Sequence, residues 1–341
     1  MSAGLAAAAE VLIRDYMAVK AGEDVIITAD TAGDPKVPQA IMAAAQQADA
    51  RASVLLLPPL PFQGRLADPY ITRPLSGAVL ASDVWIDLTF PYLAGSELYD
   101  EVMKTERVRY LLGGDMSAEG LVRLFGRVDL DQYYAVHKAF DEMINDAIGK
   151  TVRITDNGDT DVSFKLGQRG LEKPRRGDKP GFYLVPGACT MFPEVESVQG
   201  RIQIGAVFHE YFTALSDPMT LEIDGKIKAI SGGGNERIVA DRALRRAGGG
   251  EYGYIIHFTH GIHPAARATG RSFIEEMRSA GNDAIGMGLP WWEPGGGENH
   301  PDGVLFMQTI DLDGQRIVED GIIVGPKKLA KLAAGLAPIY A

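Results

Sequence analysis

Two patterns of hydrophobicity divide the chain near residue 150, and they limit its fold more than any other feature. The first 149 residues alternate short apolar segments, typical of buried strands, with amphipathic segments of helical period. This order predicts an open, mainly parallel α/β sheet. The predicted elements are, in chain order, helix Ala6–Tyr16, strand Asp24–Thr28, helix Val37–Gln47, strand Ala52–Leu57, helix Pro74–Ala81, strand Val84–Leu88, helix Ser96–Glu106, strand Arg109–Leu112 and helix Asp131–Ile148.

After residue 149, turn dipeptides separate pairs of β segments, as in hairpins. The predicted hairpin turns are Asn157-Gly158 between Thr151–Thr155 and Asp161–Leu166, Asp224-Gly225 between Thr220–Ile223 and Lys226–Ile230, and Asp313-Gly314 between Val304–Asp311 and Arg316–Val318. We therefore expect an N-terminal open parallel α/β domain, residues 1–149, and a C-terminal hairpin-rich α+β domain, residues 150–341. The second domain holds three clustered histidines together with His300 and Asp302, so we expect it to be the metal-binding, catalytic domain.

Composition excludes several classes of function. The 34 Lys and Arg residues against 45 Asp and Glu give a net charge of -11, without the basic block that follows a nucleic-acid backbone. The single cysteine, Cys189, excludes an internal disulfide, and the first residues lack the pattern of an export signal. No apolar run approaches the roughly 20 residues that span a bilayer. We expect a cytoplasmic protein with neither a nucleic acid nor a membrane as partner.

Histidine placement predicts a metal site. The chain has six histidines, and His257, His260 and His263 fall within one short segment. His300 and Asp302 stand at i and i+2 before an apolar strand. Two histidines and one carboxylate leave open the positions that non-haem Fe(II) needs for substrate and O2. The alternative interpretations are a buried core histidine for any one member of the cluster and a plain turn around His300. Spacing alone does not decide which of the three clustered histidines binds the metal.

Glu194 and Glu196 are a further acidic element, in the segment Met191–Ser197. Either could be a metal ligand, a hydrogen-bond partner of a ligating histidine, or a general base. The alternative is a surface glutamate without a function, which we favour for Glu196.

Several of these motifs occur in the same order in a known family. Pro193-Glu194-Val195, Gly261-Ile262-His263-Pro264, Ala284–Gly288 and the final His300-Pro301-Asp302 resemble the C-terminal domain of the thermophilic metalloaminopeptidase (aminopeptidase T) family. The resemblance is closer to an offshoot of that family, the 2,5-dihydroxypyridine 5,6-dioxygenases of nicotinic acid degradation. It covers most of the chain and is specific from about residue 190 onward.

The resemblance implies a ligand set. The peptidases bind two metals, and their ligand positions correspond to Glu194, His257, Ala284, His300 and Asp302 of this chain. Here a histidine stands at 257 where the peptidases have a glutamate, and an alanine stands at 284 where they have a histidine. The dioxygenases have a hydroxyl side chain at the latter position. The implied site is therefore one Fe(II) ion held by His257, His300 and Asp302.

The activity implied by the resemblance is an Fe(II)-dependent, extradiol-type ring cleavage that opens a hydroxylated pyridine, such as 2,5-dihydroxypyridine, with O2. His260, His263 or Glu194 would act as the catalytic base for the ring hydroxyl, and a homo-oligomer is expected because family members are oligomeric. The alternative activity is an aminopeptidase or amidase of the aminopeptidase T type that uses Zn, Co or Mn. A third reading is a binding protein whose metal site has degenerated.

Overall fold

The computed structural model describes residues 2–168, 176–290, 292–296 and 300–339. The strands within these ranges are, in order, β1 Asp24–Asp30, β2 Arg51–Leu57, β3 Val84–Leu88, β4 Arg109–Leu112, β5 Thr151–Thr155, β6 Asp161–Lys165, β7 Gly181–Leu184, β8 Ala188–Met191, β9 Gln199–Phe208, β10 Phe212–Asp224, β11 Lys226–Gly232, β12 Tyr254–Gly261, β13 Asn282–Gly288, β14 Asp302–Phe306, β15 Thr309–Leu312, β16 Gln315–Glu319 and β17 Ile322–Ile323. The helices are α1 Ala3–Glu10, α2 Lys36–Gln47, α3 Arg73–Ala81, α4 Glu97–Lys104, α5 Ala118–Gly126, α6 Leu130–Asp146, α7 Glu236–Ala247, α8 Phe273–Glu276 and α9 Lys327–Ala333.

The first compact unit contains Met1–Val128 and Glu172–Pro186. Its sheet has the order β2-β1-β3-β4-β7, and every pairing is parallel. All residues of β3 and β4 are buried, as expected for parallel strands covered on both faces. Helices α3, α4 and α5 begin at hydroxyl caps, since Thr72, Ser96 and Ser117 accept hydrogen bonds from first-turn N–H groups. The predicted parallel α/β sheet is confirmed.

The second compact unit contains Asp129–Leu171 and Gly187–Ala341. Its strands form one antiparallel sheet in the order β10-β11-β12-β13-β14-β9-β6-β5-β15-β16-β17, with β8 paired to β12. Because β9 also pairs with β10, the strands β9 to β14 close into a ring. The hairpins predicted at the three turn dipeptides are confirmed by the β5–β6, β10–β11 and β15–β16 pairings.

Two predicted elements differ from the structure. The single strand predicted at Val304–Asp311 is wrong, because Met307 adopts a positive φ of 55° and the chain turns there. Strand β14 pairs with β13 and β9, whereas β15 pairs with β5 and β16. The segment from Arg271 to Ser279 has the sequence pattern of a helix, which predicts one along its whole length, but the structure has only the short helix α8 there.

The two units interchange segments relative to the boundary predicted at residue 149. Helix α6 belongs to the second unit, and strand β7, which follows β6 in the chain, joins the first sheet. Which segments fold as independent domains stays a prediction. No helix in the part of the chain that the structure describes is both long and apolar enough to span a bilayer.

Candidate metal centre

Strands β12, β13 and β14 align one residue of each in a common row. His257 lies opposite Gly286 in the first pairing, and Gly286 lies opposite Asp302 in the second. Residues opposite each other in an antiparallel pair point to the same face of the sheet. His257 and Asp302 therefore project to one face, on either side of a residue without a side chain.

Gly286 leaves the space that the His257 ring occupies. A β-carbon at position 286 would lie 2.3 Å from His257 Nε2 and 3.0 Å from Ile256 Cγ1. Glycine in a strand interior commonly marks such a close approach of another group. The imidazole can reach across β13 toward Asp302 only because no side chain stands at 286.

A β-bulge at Ile256 sets the direction of the His257 side chain. Ile255 pairs with Met287 and His257 pairs with Gly286, so Ile256 has no residue opposite it. An extra residue of this kind shifts the alternation of side chains by one position. As a result the side chains of Ile256 and His257 both lie over Gly286, whereas uninterrupted alternation would send them to opposite faces.

His300 joins this pair from the segment that precedes β14. Its Nε2 is 3.5 Å from Asp302 Oδ2, and His257 Nε2 is 3.4 Å from Asp302 Oδ1. The centroids of the two imidazole rings are 5.4 Å apart and the rings are nearly perpendicular, at 87°. The Asp302 side chain is only 3% exposed. Two imidazole nitrogens thus face the two oxygens of one buried carboxylate.

The donor atoms have the spacing that one cation requires. One ligand atom from each of His257, His300 and Asp302 lies within 4.8 Å of the other two. Neighbouring ligands at about 2.1 Å from one metal ion are roughly 3.0 to 3.5 Å apart, and both His–Asp distances fall in that range. Within the described ranges, no other group of three His, Cys, Asp or Glu side chains meets the same criterion.

His260 lies in the same strand but is not brought to this cluster. Its side chain is fully buried, and its Nδ1 is 2.6 Å from Oδ1 of Asp283, the residue opposite it on β13. Three positions separate His260 from His257, so regular alternation after the bulge directs it to the other face. The His260–Asp283 pair links β12 to β13 on that face.

His263 lies in the turn that follows β12 and is also separate from the cluster. Its Nδ1 accepts hydrogen bonds from the backbone N–H groups of Ala265 and Ala266, both at 3.1 Å. In a neutral ring this arrangement leaves the proton on Nε2. The third candidate base, Glu194, is exposed and immediately precedes the short helical turn Val195–Ser197.

A cavity of about 570 Å³ is lined by Glu194 together with Phe192, Ile256 and Trp292. Its size lies within the range of small-molecule sites, about 300 to 1,000 Å³. Ile256 connects the cavity to the metal cluster, because its side chain lines the cavity and lies beside the His257 ring over Gly286. Trp292 is 69% exposed, so a large part of its indole ring is free to contact a ligand.

Sequence reasoning did not identify Gly286 or Ile256 as parts of the site. The one available signal was the pair Gly286 and Gly288 inside an otherwise apolar strand, which is typical of a close approach by another group. The bulge at Ile256 has no such signal, because it exists only in the pairing of β12 with β13.

A largely buried group of two histidines and one carboxylate is typical of enzymes that use a single metal ion. The chain belongs to the 2,5-dihydroxypyridine 5,6-dioxygenase family, whose model, NicX, matches residues 10–325. It is therefore a ring-cleaving dioxygenase, and membership implies a metal cofactor, a small aromatic substrate and O2. No curated protein matches the chain in sequence.

Two solved structures share the fold along nearly the whole chain. The 2,5-dihydroxypyridine dioxygenase from Pseudomonas putida KT2440 superposes with a TM-score of 0.74 at 20% identity, over 95% of this chain and 98% of that one. Wild-type AmpT from Thermus thermophilus superposes with a TM-score of 0.64 at 14% identity, over 94% and 99%. At these identities the likeness shows the fold. It confirms the mixed α/β class and the resemblance read from the sequence.

Proposed function

We propose that this chain is an Fe(II)-dependent, extradiol-type dioxygenase that opens a hydroxylated pyridine, such as 2,5-dihydroxypyridine, with O2. His257 Nε2, His300 Nε2 and one Asp302 oxygen would hold the iron. The observation that carries the proposal is the spacing of these three donors around Gly286. Fe(II) in such a donor set supplies one-electron chemistry between an electron-rich ring and O2.

The cavity beside the cluster offers a place for the ring. Phe192 and Trp292 line it with aromatic rings, and Ile256 lines it with a side chain that lies beside the His257 ring over Gly286. A planar heterocycle packs favourably against such rings. A ring seated there would lie on the Ile256 side of the His257 imidazole.

We assign the role of proton acceptor to Glu194. Of the three candidate bases it is the one that lines the cavity, and its carboxylate can take the proton of a ring hydroxyl. His260 lies on the other face of the sheet with Asp283, and Nδ1 of His263 already accepts two backbone hydrogen bonds. Because of these contacts, we expect both histidines to stabilise the fold and not to act as the base.

The charges around the cavity favour a ring without a carboxylate. Of the residues that the structure describes, Glu194, Glu196 and Glu293 line it together with Lys165. An anionic substituent would meet net negative charge from these four side chains, which costs binding free energy. A comparison of two substrates checks this point. We expect a larger KM for a carboxylate-bearing hydroxypyridine than for 2,5-dihydroxypyridine. The difference between the two KM values should be smaller in Glu293→Gln, which removes one negative charge.

The position of Ala284 supports a single metal ion rather than a two-metal hydrolase. Ala284 lies opposite both Thr259 and Val304. It is two residues from Gly286 along β13, so its side chain is on the same face of the sheet as His257. Its methyl group has no ligand atom for a second ion at this point. The aminopeptidase alternative would need a further set of donors, and the described residues bring together one set.

Anaerobic Fe(II) titration followed by O2 addition tests the proposal. We expect wild-type protein to bind one Fe(II) per chain, and His257→Ala, His300→Ala and Asp302→Ala to lose this binding, while His209→Ala retains it. Addition of 2,5-dihydroxypyridine and O2 should consume one O2 per ring opened. Unchanged iron affinity in all three ligand variants, ring consumption without O2, or peptide cleavage by the zinc form would overturn the proposal.

A further inference from the structure

A chain of two hydroxyl groups supports the far side of the His257 ring. His257 Nδ1 is 3.1 Å from Thr259 Oγ1, and Thr259 Oγ1 is 3.1 Å from Thr190 Oγ1. Thr259 and Thr190 are opposite each other in the β12–β8 pairing, and Thr259 is 4% exposed. Strand register therefore fixes the contact between Thr259 and Thr190, and the contact between His257 and Thr259 is buried.

The position of the ring determines the direction of the hydrogen bond between His257 and Thr259. His257 Nε2 faces Asp302, so this nitrogen must keep its lone pair if it is to bind a cation. The ring proton then resides on Nδ1, and Nδ1–H donates to Thr259 Oγ1. The Thr259 hydroxyl keeps its own proton, and in its contact with Thr190 either hydroxyl can be the donor.

We propose that Thr259 is a positioning residue for the metal, which holds His257 in the tautomer and orientation that direct Nε2 to the ion, and that Thr190 orients the Thr259 hydroxyl. The inference rests on the proposed ligand set and extends it. Outer partners of this kind fix the orientation of ligating histidines, and their removal weakens metal binding by about 10- to 100-fold.

The chemical nature of the acceptor adds a consequence. A carboxylate that accepts the ring N–H makes a ligating imidazole more basic, whereas a neutral hydroxyl does so much less. In the described parts of the chain neither Thr259 nor Thr190 is hydrogen-bonded to a carboxylate, although His260, three residues along the same strand, contacts Asp283 at 2.6 Å. With such an acceptor His257 would be a weaker donor, so an ion bound there would keep more positive charge for an anionic ring oxygen.

Metal titration of threonine variants tests this role with a readout other than turnover. We expect Thr259→Val, which keeps the shape but removes the hydroxyl, to weaken anaerobic Fe(II) and Co(II) binding by about 10- to 100-fold. The visible absorption of the Co(II) form should shift as well, because the imidazole orientation changes. Thr259→Ser should restore most of the affinity, and Thr190→Val should cause a smaller loss because it acts one hydrogen bond further away.

Thr160→Val is the matched control. Thr160 is equally buried at 4% exposure, lies in the same unit, and its hydroxyl accepts a hydrogen bond from the backbone of Gln203. This variant loses one hydroxyl contact where Thr259→Val loses two, so urea unfolding of the two apoproteins should show losses of the same order. Only Thr259→Val should change metal affinity and the Co(II) spectrum.

The outcomes separate this inference from the proposed function. Wild-type affinity and an unchanged Co(II) spectrum in Thr259→Val, with binding lost in His257→Ala, would overturn the role of Thr259 and leave the ligand set intact. An equal loss of affinity in Thr160→Val would also overturn it, since the effect would then be general softening of the unit. Retained affinity in His257→Ala would refute the ligand set and the threonine role together.

Discussion

Each unit buries a carboxylate within its sheet, and the two carboxylates have opposite surroundings. Asp87 in β3 is fully buried, and Asp302 in β14 is 2% exposed. Asp87 accepts five hydrogen bonds, whose donors are Thr28 Oγ1, Thr89 N, Thr89 Oγ1, Leu93 N and Tyr110 Oη. These donors come from β1, β4 and the loop after β3, so the Asp87 carboxylate joins those segments to one another.

Asp302 instead directs its two oxygens at the imidazoles of His257 and His300. Neutral imidazole nitrogens that carry lone pairs repel a carboxylate oxygen, so this arrangement is favourable when a cation lies between them or a proton is taken up. Burial alone therefore does not identify a functional carboxylate. The groups around a buried carboxylate are more informative. Hydrogen-bond donors indicate a structural role, whereas other side chains that can bind a metal indicate a ligand.

The largest effect that separates the two regions should come from Asp302→Asn. The amide keeps the shape but removes the negative charge, and we expect Fe(II) affinity to fall by more than about 100-fold, beyond the range for outer partners. The unfolding free energy of the apoprotein should change little. Anaerobic titration and urea unfolding measure both quantities. Retention of iron binding with lost stability would make Asp302 a structural residue like Asp87.

Asp87→Asn should give the opposite result. An amide NH2 would oppose some of the five donors, and breaking a buried charged network of this kind costs about 3 kcal/mol of unfolding free energy. Fe(II) affinity of the folded protein should remain at the wild-type value. A loss below about 1 kcal/mol in urea unfolding would show that the network does not support the parallel sheet.

A smaller effect is expected at Gly286, which shapes the site through the space it leaves and not through a charge. Gly286→Ala places a methyl group 2.3 Å from His257 Nε2, so the ring must move. We expect a loss of about 1 to 3 kcal/mol of unfolding free energy, as for other overpacked positions, together with weakened Fe(II) binding.

Gly77→Ala in helix α3 is the control for that variant. Nothing lies within 4 Å of a β-carbon there, and alanine is favoured over glycine in a helix by up to about 1 kcal/mol. Its unfolding free energy should stay the same or rise. Wild-type iron affinity in Gly286→Ala would mean that the ring does not depend on the space above β13.

Much of the fold could be predicted because its signals are local. Buried apolar runs separated by amphipathic helices define β1 to β4, and the three turn dipeptides define hairpins. Strand β7 could not be predicted in the same way, because four residues carry little pattern and their partner, β4, lies far away in the chain. The end of β14 was missed because nothing in the sequence marks the positive φ of Met307.

The candidate site was predictable to a similar degree. His300 and Asp302 could be predicted as metal ligands because they stand two residues apart before a strand. The choice among His257, His260 and His263 depends on a bulge that arises from the pairing of two strands, so spacing within β12 cannot make it. Gly286 and Thr259 contribute through space and hydrogen bonding, and neither leaves a metal-binding pattern in the sequence.

The smallest predicted effect concerns the titration of Asp87. Burial raises the pKa of its carboxyl above the usual value, although the hydrogen bonds from Thr89, Leu93 and Tyr110 act to lower it. Because the pKa is higher in the folded state than in the unfolded state, the folded state binds the proton more tightly. The stability from this group is therefore fully present below the unfolded pKa, about 3.9, and is lost as pH rises through the folded value.

Asp87→Asn isolates this contribution because its amide does not titrate. The difference in unfolding free energy between wild type and Asp87→Asn should grow as pH is lowered from about 7 toward 4, by about 1.4 kcal/mol for each unit by which the pKa is raised. Urea unfolding of both proteins at several pH values gives this difference directly. If the difference in unfolding free energy became smaller toward low pH, the pKa of Asp87 would be lowered, and not raised, in the folded state. The five donors would then outweigh burial and hold Asp87 as an anion, and the contrast with Asp302 would rest on hydrogen-bond donors alone.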